Sequence, residues 1–410
     1  MTPPISRIEL KWVLFAVVAS LLCWRIVVVN VAQYLAADDN LAATAWNPNN
    51  PVTLLQQAVS AVGNDPARAR RLALRAAWEN PADGRAFLVF ALIEEQAGRL
   101  NMASKAIRLA DFLAPRRSET QLQIANFWAR QGRLEEALPH WSVALQMRPE
   151  LNVKLFPELL RFIEAPQMRP AFARILADPP AWWNSFFLYA LNNAAHPETL
   201  KAIYLARANT SKGVGHVERK AYLDRLLRDG MWIDAYFIWL NGLDASQLSV
   251  LGNIYDGGFE LDSFDEGYDW RFMVDKGFTV DKEHTYGTVG DRALHVAFVG
   301  PQPRSRQLAA QYLLLDPGQY RLRGRVRIDS LAAGNGVRWM MQCANSGGVL
   351  ASSELFIGTD HWKSFGAEVK IPETGCAAQI IKLEMDPGSD RKPDFSGSVW
   401  FDDMILEKTL

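Results

Sequence analysis

Tyr255-Asp256-Gly257-Gly258-Phe259-Glu260 divides the chain. Before it, nearly every segment carries a helical pattern. After it, nearly every segment alternates with a period of two. The adjacent glycines release the backbone at the switch, and Phe259 and Glu260 open a new alternation. The stretch therefore reads as a hinge between a helical half and a strand-rich half, and as the first strand of the latter.

The alternation is clearest in Tyr320-Arg321-Leu322-Arg323-Gly324-Arg325-Val326-Arg327-Ile328, where apolar residues or Gly take the even numbers and Arg the odd ones. That pattern gives an antiparallel strand one buried and one wet face, and Asp316-Pro317-Gly318 before it signals a turn. Leu294, Val296 and Phe298 alternate in the same way. Further strands are expected at 270–274, 307–315, 337–343, 350–357, 365–371, 379–385 and 399–406. Roughly nine or ten short strands punctuated by Gly, Pro, Asp and Ser describe an antiparallel β-sandwich over 252–410. On the strand at 337–343 the alternation puts Trp339 on the apolar face and Arg338, Met340 and Gln342 on the wet one.

Upstream, a 34-residue register is visible: Gly98 recurs as Gly132, Ala91 as Ala125, Ala103 as Ala137, Ala110 as Ala144 and Pro115 as Pro149, with Ala69, Ala76 and Pro81 one period earlier. Small residues permit close helix approach, Gly ends a helix, and Pro stops one. Tyr222 to Leu240, with Gly230 at its turn, has the look of a degenerate pair. Residues 37–251 read as a solenoid of stacked helix pairs. Trp78, Trp128, Trp141, Trp232 and Trp239 fall in its helices and read as core.

Residues 11–36 contain the apolar run WVLFAVVASLLCWRIVVVNVAQYL from Trp12 to Leu35, long enough to span a bilayer. Arg25 and Asn30 interrupt it. A span of about 11–31 tolerates Arg25 at a cost of roughly 2.5–3.5 kcal/mol at mid-membrane, less if the side chain snorkels. Arg7 and Lys11 precede the run and Asp38 and Asp39 follow it, which places residues 1–10 in the cytoplasm and the bulk outside. Two rival readings are cleavage at Ala43-Thr44-Ala45 and a buried helix of a cytosolic protein; the uncleaved anchor is preferred.

The composition is that of a folded protein, with 49% hydrophobic and 22% charged residues. A net charge of -1 gives no reason to expect a nucleic-acid partner. Of three cysteines, Cys343 and Cys376 both lie in the strand-rich half; they are either a disulfide, in an oxidising compartment, or two free thiols. Six scattered His show no metal-ligand spacing, and no phosphate-binding glycine loop or nucleophile elbow occurs. Asp262, Asp265, Glu266 and Asp269 could house a glycosidase carboxylate pair, but a cluster in one short loop is ordinarily solvated. No enzymatic activity is expected.

The 34-residue register, with its small residues, turn glycine and closing proline, resembles the tetratricopeptide repeat over about 65–150. The large aromatic of the first helix is kept as Phe87 and lost as Gln121. The resemblance implies a concave face lined by Arg85, Leu88, Leu92 and Glu95, then Leu122, Asn126 and Arg130. Of these, Arg85, Glu95, Asn126 and Arg130 are candidates for a partner-protein groove; the alternative is an ordinary solvated face.

A second resemblance covers about 255–408. Gly258-Phe259-Glu260, GDRALHVAFV from Gly290, QYLLLDPGQY from Gln311, His361-Trp362-Lys363-Ser364-Phe365 and Trp400-Phe401-Asp402-Asp403-Met404-Ile405-Leu406 resemble, in order and spacing, the galactose-binding-like jelly roll of carbohydrate-binding modules. It implies that Glu260 and Asp402 hold a structural calcium, hard carboxylate ligands suiting that ion; a surface Glu and a capping Asp are the alternative. It also implies structural places for Trp270 and Trp362. Arg321, Arg323, Arg325 and Arg327 with Arg338 and Gln342 would form a cationic groove for an acidic polysaccharide if both wet sides share one face; otherwise they are a solvated arginine face. Tyr286 and Tyr268 are candidate stacking residues. Together the two resemblances imply a single-pass bacterial inner-membrane protein, its bulk periplasmic, serving as a non-catalytic scaffold in exopolysaccharide or cell-envelope polysaccharide assembly. The alternatives are a purely protein-binding subunit of a secretion or export complex and, third, a glycan hydrolase or lyase accessory.

Overall fold

The computed structural model describes residues 7–36, 40–299, 303–386 and 395–409; Asp38 and Asp39, used above for topology, lie outside them. The chain forms two compact units, Met1–Lys212 and Gly213–Leu410. Fifteen α-helices and two antiparallel five-stranded sheets make it an α plus β multidomain protein among the described residues.

The first unit opens with one long apolar helix, α1 (Arg7–Leu35), whose segment Lys11–Leu35 has a mean hydropathy of 2.4 in its most apolar window. After α2 (Asn40–Trp46) come three helix pairs: α3 (Pro51–Ala61) with α4 (Pro66–Glu79), α5 (Arg85–Gln96) with α6 (Leu100–Leu113), and α7 (Ser118–Arg130) with α8 (Leu134–Met147). Asn50 and Asp65 start α3 and α4 by accepting backbone N–H groups, each followed by a proline at the first helical position. Gly98 and Gly132 have φ of 73° and 71°. At both, the next residue's N–H reaches five residues back in a Schellman motif, Arg99 to the Glu94 carbonyl and Arg133 to the Trp128 carbonyl. This is why the register repeats between the second and third pairs: one left-handed residue in each reverses the chain. Ala69, Ala103, Ala137, Ala110 and Ala144 are fully buried at the helix crossings. The unit continues through α9 (Asn152–Glu164), α10 (Ala173–Ala177), α11 (Trp183–Asn193) and α12 (Pro197–Ala208). Trp128 and Trp141 are core as expected, but Trp78 is 83% exposed. Position 78 lies on the side of α4 opposite its buried Ala69, Ala73 and Ala76.

The second unit begins with α13 (His216–Arg228), α14 (Trp232–Leu240) and α15 (Ala245–Ser249), and Gly230, at φ 75°, makes the same Schellman turn between the first two. These helices group with the strands, whereas the change of periodicity suggested a boundary near residue 252. The reason is electrostatic. The loop 262–269 reaches α13: Asp265 pairs with Lys220 at 2.9 Å, buried Glu266 pairs with Arg219, and Tyr268 donates to the Trp232 carbonyl at 2.8 Å. Asp262 pairs with Arg292, and Asp269 accepts the Phe264 and Trp270 N–H groups. Each member of the acidic cluster thus has a structural partner.

The ten strands are β1 (Arg271–Phe272), β2 (Phe278–His284), β3 (Arg292–Phe298), β4 (Gln307–Leu313), β5 (Gly318–Ala333), β6 (Gly336–Cys343), β7 (Val349–Ser352), β8 (Gly358–Ile371), β9 (Gln379–Asp386) and β10 (Phe395–Lys408). They form sheets of order β1-β4-β9-β6-β7 and β2-β3-β10-β5-β8. Between the sheets lie Phe259, Trp270, Trp339, Phe356 and Phe401, all at most 1% exposed, with Trp339 bridging Trp270 and Phe401 at 5.7 and 5.3 Å. The core assignment of Trp339 and Trp270 holds.

Asp256-Gly257-Gly258-Phe259 is a turn, not the first strand, and it is pinned rather than hinged. Asp256 (φ 46°) and Phe259 (φ 58°) both adopt left-handed conformations. The Gly257 carbonyl accepts the Met404 N–H, and a Cβ at Gly257 would meet the Met404 carbonyl oxygen at 2.0 Å, so only Gly fits. Trp270 Nε1 donates to the Asp256 carbonyl at 3.1 Å.

Cys343 and Cys376 are joined by a disulfide across a separation of 33 residues. Replacing both with Ala is expected to lower the unit's stability by about 3–4 kcal/mol in the chain-entropy model. Urea unfolding measures this, and an unchanged midpoint would show that the bridge contributes nothing.

Candidate functional site

The outward face of the β2-β3-β10-β5-β8 sheet carries a row of side chains in register across the strands. Asp281 pairs with His295, His295 with Trp400, and Trp400 with Arg327. The His295 and Trp400 rings stack at 3.8 Å and 11°. The Arg327 guanidinium lies 4.6 Å from the Trp400 ring, 4.5 Å from Tyr286 and 5.6 Å from Trp362. Its Nη1 donates to Thr285 Oγ1 at 2.8 Å and its Nη2 to Asp329 Oδ2 at 3.2 Å, while Trp400 Nε1 donates to the same carboxylate at 3.0 Å. Arg327 is 4% exposed although it sits on the wet side of its strand. A delocalised, weakly hydrated guanidinium tolerates such a cage of rings, and a lysine would not.

This cage holds up a more exposed layer. Tyr286, 71% exposed, rests one ring face on Arg327 and turns the other outward. Trp362 is half-buried, donates its Nε1 to the Tyr286 carbonyl at 2.8 Å, and lies under Arg325 at 5.2 Å. Arg325 has no carboxylate within ion-pair distance among the described residues. Two amphipathic rings beside a cation that makes no close ion pair among the described residues form a platform able to stack on a sugar ring and to bind a carboxylate.

The loop presenting Tyr286 is tied at three points. Trp362 closes on Gly287 (φ 74°), whose Cβ would lie 2.9 Å from the indole. Asp402 Oδ2 accepts the Val289 N–H at 2.6 Å, and Glu260 Oε1 accepts the Asp291 and Arg292 N–H groups at 3.0 and 3.2 Å. Glu260 and Asp402, far apart in sequence, therefore converge on one loop. Burial holds the Asp402 carboxyl above its ordinary range, against the lowering effect of its backbone hydrogen bonds. Asp402 is fully buried, and the charge of Arg325, its cross-strand neighbour on β5, offsets that burial only in part. Two carboxylates tied to one loop, one of them buried without a close ion pair among the described residues, are ligands of the kind a hard cation takes. No group of three or more His, Cys, Asp or Glu placed to hold a metal ion occurs among the described residues, so such an ion would rely on backbone oxygens or water as well.

The remaining candidates distribute differently. Arg321 and Arg323 share a face with Arg325 but pair with Glu368 and Glu407, each at 2.7 Å. Arg338 and Gln342 lie on β6, in the other sheet, with Arg338 3.8 Å from Asp386. The two wet sides expected to share a groove thus belong to opposite outer faces of the sandwich, because the chain crosses between sheets from β5 to β6. Tyr268 is 2% exposed and is no stacking residue. Arg327, Trp400 and His295 escaped notice as a unit. The residue spacing hid them, since their meeting needs the register of three strands.

In the first unit, α3, α5 and α7 line a groove of about 710 Å³ with an apolar floor that includes Leu55, Leu88, Leu92 and Phe127. Arg85, Glu95 and Arg130 are at its rim, with Arg130 paired to Glu95 at 2.7 Å and Arg85 paired to Asp83 at 2.5 Å. Asn126 instead accepts from Trp141 Nε1 at 3.2 Å and does not line the groove.

No family model and no curated protein matches the chain. Solved structures similar to it include carbohydrate-binding modules. A CBM4 module is 13% identical with a TM-score of 0.29, over 38% of this chain and 99% of that one. The CBM22-1 xylan-binding domain from Paenibacillus barcinonensis Xyn10C is 12% identical with a TM-score of 0.26, over 37% and 91%. TmCBM61 in complex with β-1,4-galactotriose is 16% identical with a TM-score of 0.27, over 39% and 99%. At such scores they do not bear on what this chain binds.

Proposed function

We propose that this chain is a non-catalytic, membrane-anchored scaffold of bacterial exopolysaccharide or cell-envelope polysaccharide assembly. Its jelly-roll sandwich holds the glycan and its tetratricopeptide-like helices dock partner proteins. The observation that carries the glycan reading is the exposed Tyr286–Trp362 pair beside the unpaired Arg325. The test is retardation of the full-length, detergent-solubilised protein in gels containing neutral or acidic glycans. Migration unaffected by every polymer would sink the reading. The groove across α3, α5 and α7 favours the second reading, a purely protein-binding subunit, which that outcome would leave standing.

Apolar α1 serves in this reading as an uncleaved anchor with its N-terminus in the cytoplasm, and the Cys343–Cys376 disulfide supports a periplasmic bulk. A periplasm-dependent reporter fused after Leu410 is expected to be active; a silent fusion in well-expressed protein would reverse the topology.

Glu260 and Asp402 supply side-chain ligands for a structural calcium that locks the Tyr286 loop. Chelation is expected to lower the thermal midpoint of the protein and weaken glycan retention, both restored by added calcium. A midpoint indifferent to chelator would reject the ion.

A further inference from the structure

We infer that the first two helix pairs rest on the membrane surface, with Trp78 and Phe112 inserted at the interface. The inference rests on the reading of α1 as a span.

The second half of α1 is two-faced. Arg25, Val29 and Gln33 line a pocket of about 290 Å³ with Asn47, Asn49 and Glu79. Ile26 and Val27 remain 61% and 45% exposed. Farther along the helix Ala32 is fully buried, and the Ala36 carbonyl accepts from Gln56 Nε2 at 3.2 Å. The half of α1 beyond Trp24 is thus built into the helical unit, which cannot lie far from the bilayer. Trp24 meets Trp46 of α2 with ring centroids 6.4 Å apart, and both rings are partly exposed. Tryptophan pairs of this kind favour the headgroup level. Before Trp24 the run is apolar back to Trp12 except for Ser20.

The pocket also places the C-terminal end of α4 beside α1, through Glu79 and Asn80. Next to Glu79 stands Trp78, 83% exposed; one 34-residue period later stands Phe112, 80% exposed, at the same place on α6. Leu74 and Leu109 extend the apolar surface. Arg71, Arg75, Lys105 and Arg108 flank it, all exposed and none with a carboxylate partner among the described residues, Arg75 donating to the Asn49 amide oxygen. Aromatic residues bordered by unpaired cations on helices tethered to a span fit an anionic lipid surface. The repeat pattern alone has no use for a Trp and a Phe at outward positions.

The test places a nitroxide on Trp78→Cys, Phe112→Cys, Val17→Cys and Val153→Cys, each in full-length Cys23→Ser protein in bilayers of phosphatidylethanolamine and phosphatidylglycerol. Collision with oxygen is compared with collision with a water-soluble nickel chelate. Positions 78 and 112 are expected to favour oxygen several-fold over position 153, an exposed site on α9. Water-like labels at 78 and 112 with a lipid-buried label at 17 overturn this inference alone. A water-like label at 17 overturns the span as well. Immobile labels at 78 and 112 without oxygen preference would mean that protein covers them, which also rejects it.

Discussion

Replacing Asp256 by Ala is expected to destabilise the sandwich unit by about 3–5 kcal/mol. The side chain is 1% exposed and accepts from the Glu260 N–H at 2.9 Å, the Leu261 N–H at 3.2 Å and Lys282 Nζ at 2.7 Å. Lys282 is itself only 5% exposed and donates also to the Leu261 carbonyl. Removing the carboxylate leaves a buried ammonium with one neutral partner and frees two backbone N–H groups in the turn that anchors β10. Asp256→Asn keeps the shape and tolerates the left-handed backbone, so it should cost less. Asp256→Leu with Lys282→Met should recover part of the loss, because a buried pair is dearer to break than to replace. Urea unfolding followed by Trp fluorescence reads all three. An Asp256→Ala midpoint close to that of the parent would mean that the ion pair does not hold the turn.

The second large effect concerns binding. Tyr286→Ala should weaken glycan retention at least tenfold, about 1.4 kcal/mol or more, with an unchanged thermal midpoint, since the ring is mostly exposed. Trp362→Phe keeps an aromatic face but loses the donor to the Tyr286 carbonyl, so it should loosen the loop and fall between the two. Arg325→Gln separates the polymer classes: affinity for uronate-bearing chains should drop about tenfold and that for neutral chains should not. Equal losses on both would assign Arg325 a packing role over Trp362. Affinity that survives Tyr286→Ala would move the site off this face.

Much of this was legible before any coordinates. The helix pairs follow from Gly98 and Gly132, because a left-handed residue at a fixed spacing dictates a reversal whatever surrounds it. Alternation on β5 and β6 told core from surface, and it placed Trp339 correctly. Strand β2 was missed because Phe278-Thr279-Val280 is followed by charged residues that mask its short alternation. The convergence of Glu260 and Asp402 was suggested by resemblance alone; their meeting point, the amides of the Tyr286 loop, was not visible.

Local pattern determined where the chain turns, which face of each element is apolar, and that helices give way to strands around Asp256-Gly257-Gly258-Phe259, because these depend on neighbours a few residues away. Tertiary structure alone decided the rest. It made that stretch a pinned turn rather than a hinge, and tied the loop 262–269 to α13 through Lys220 and Arg219 and to α14 through the Trp232 carbonyl. It separated Arg325 from Arg338 by assigning their strands to different sheets. It buried Arg327 under three rings while leaving its pattern-mate Arg321 in water. Period-two patterning says which side of a strand faces the core; what covers the other side is set by strands and loops distant in sequence.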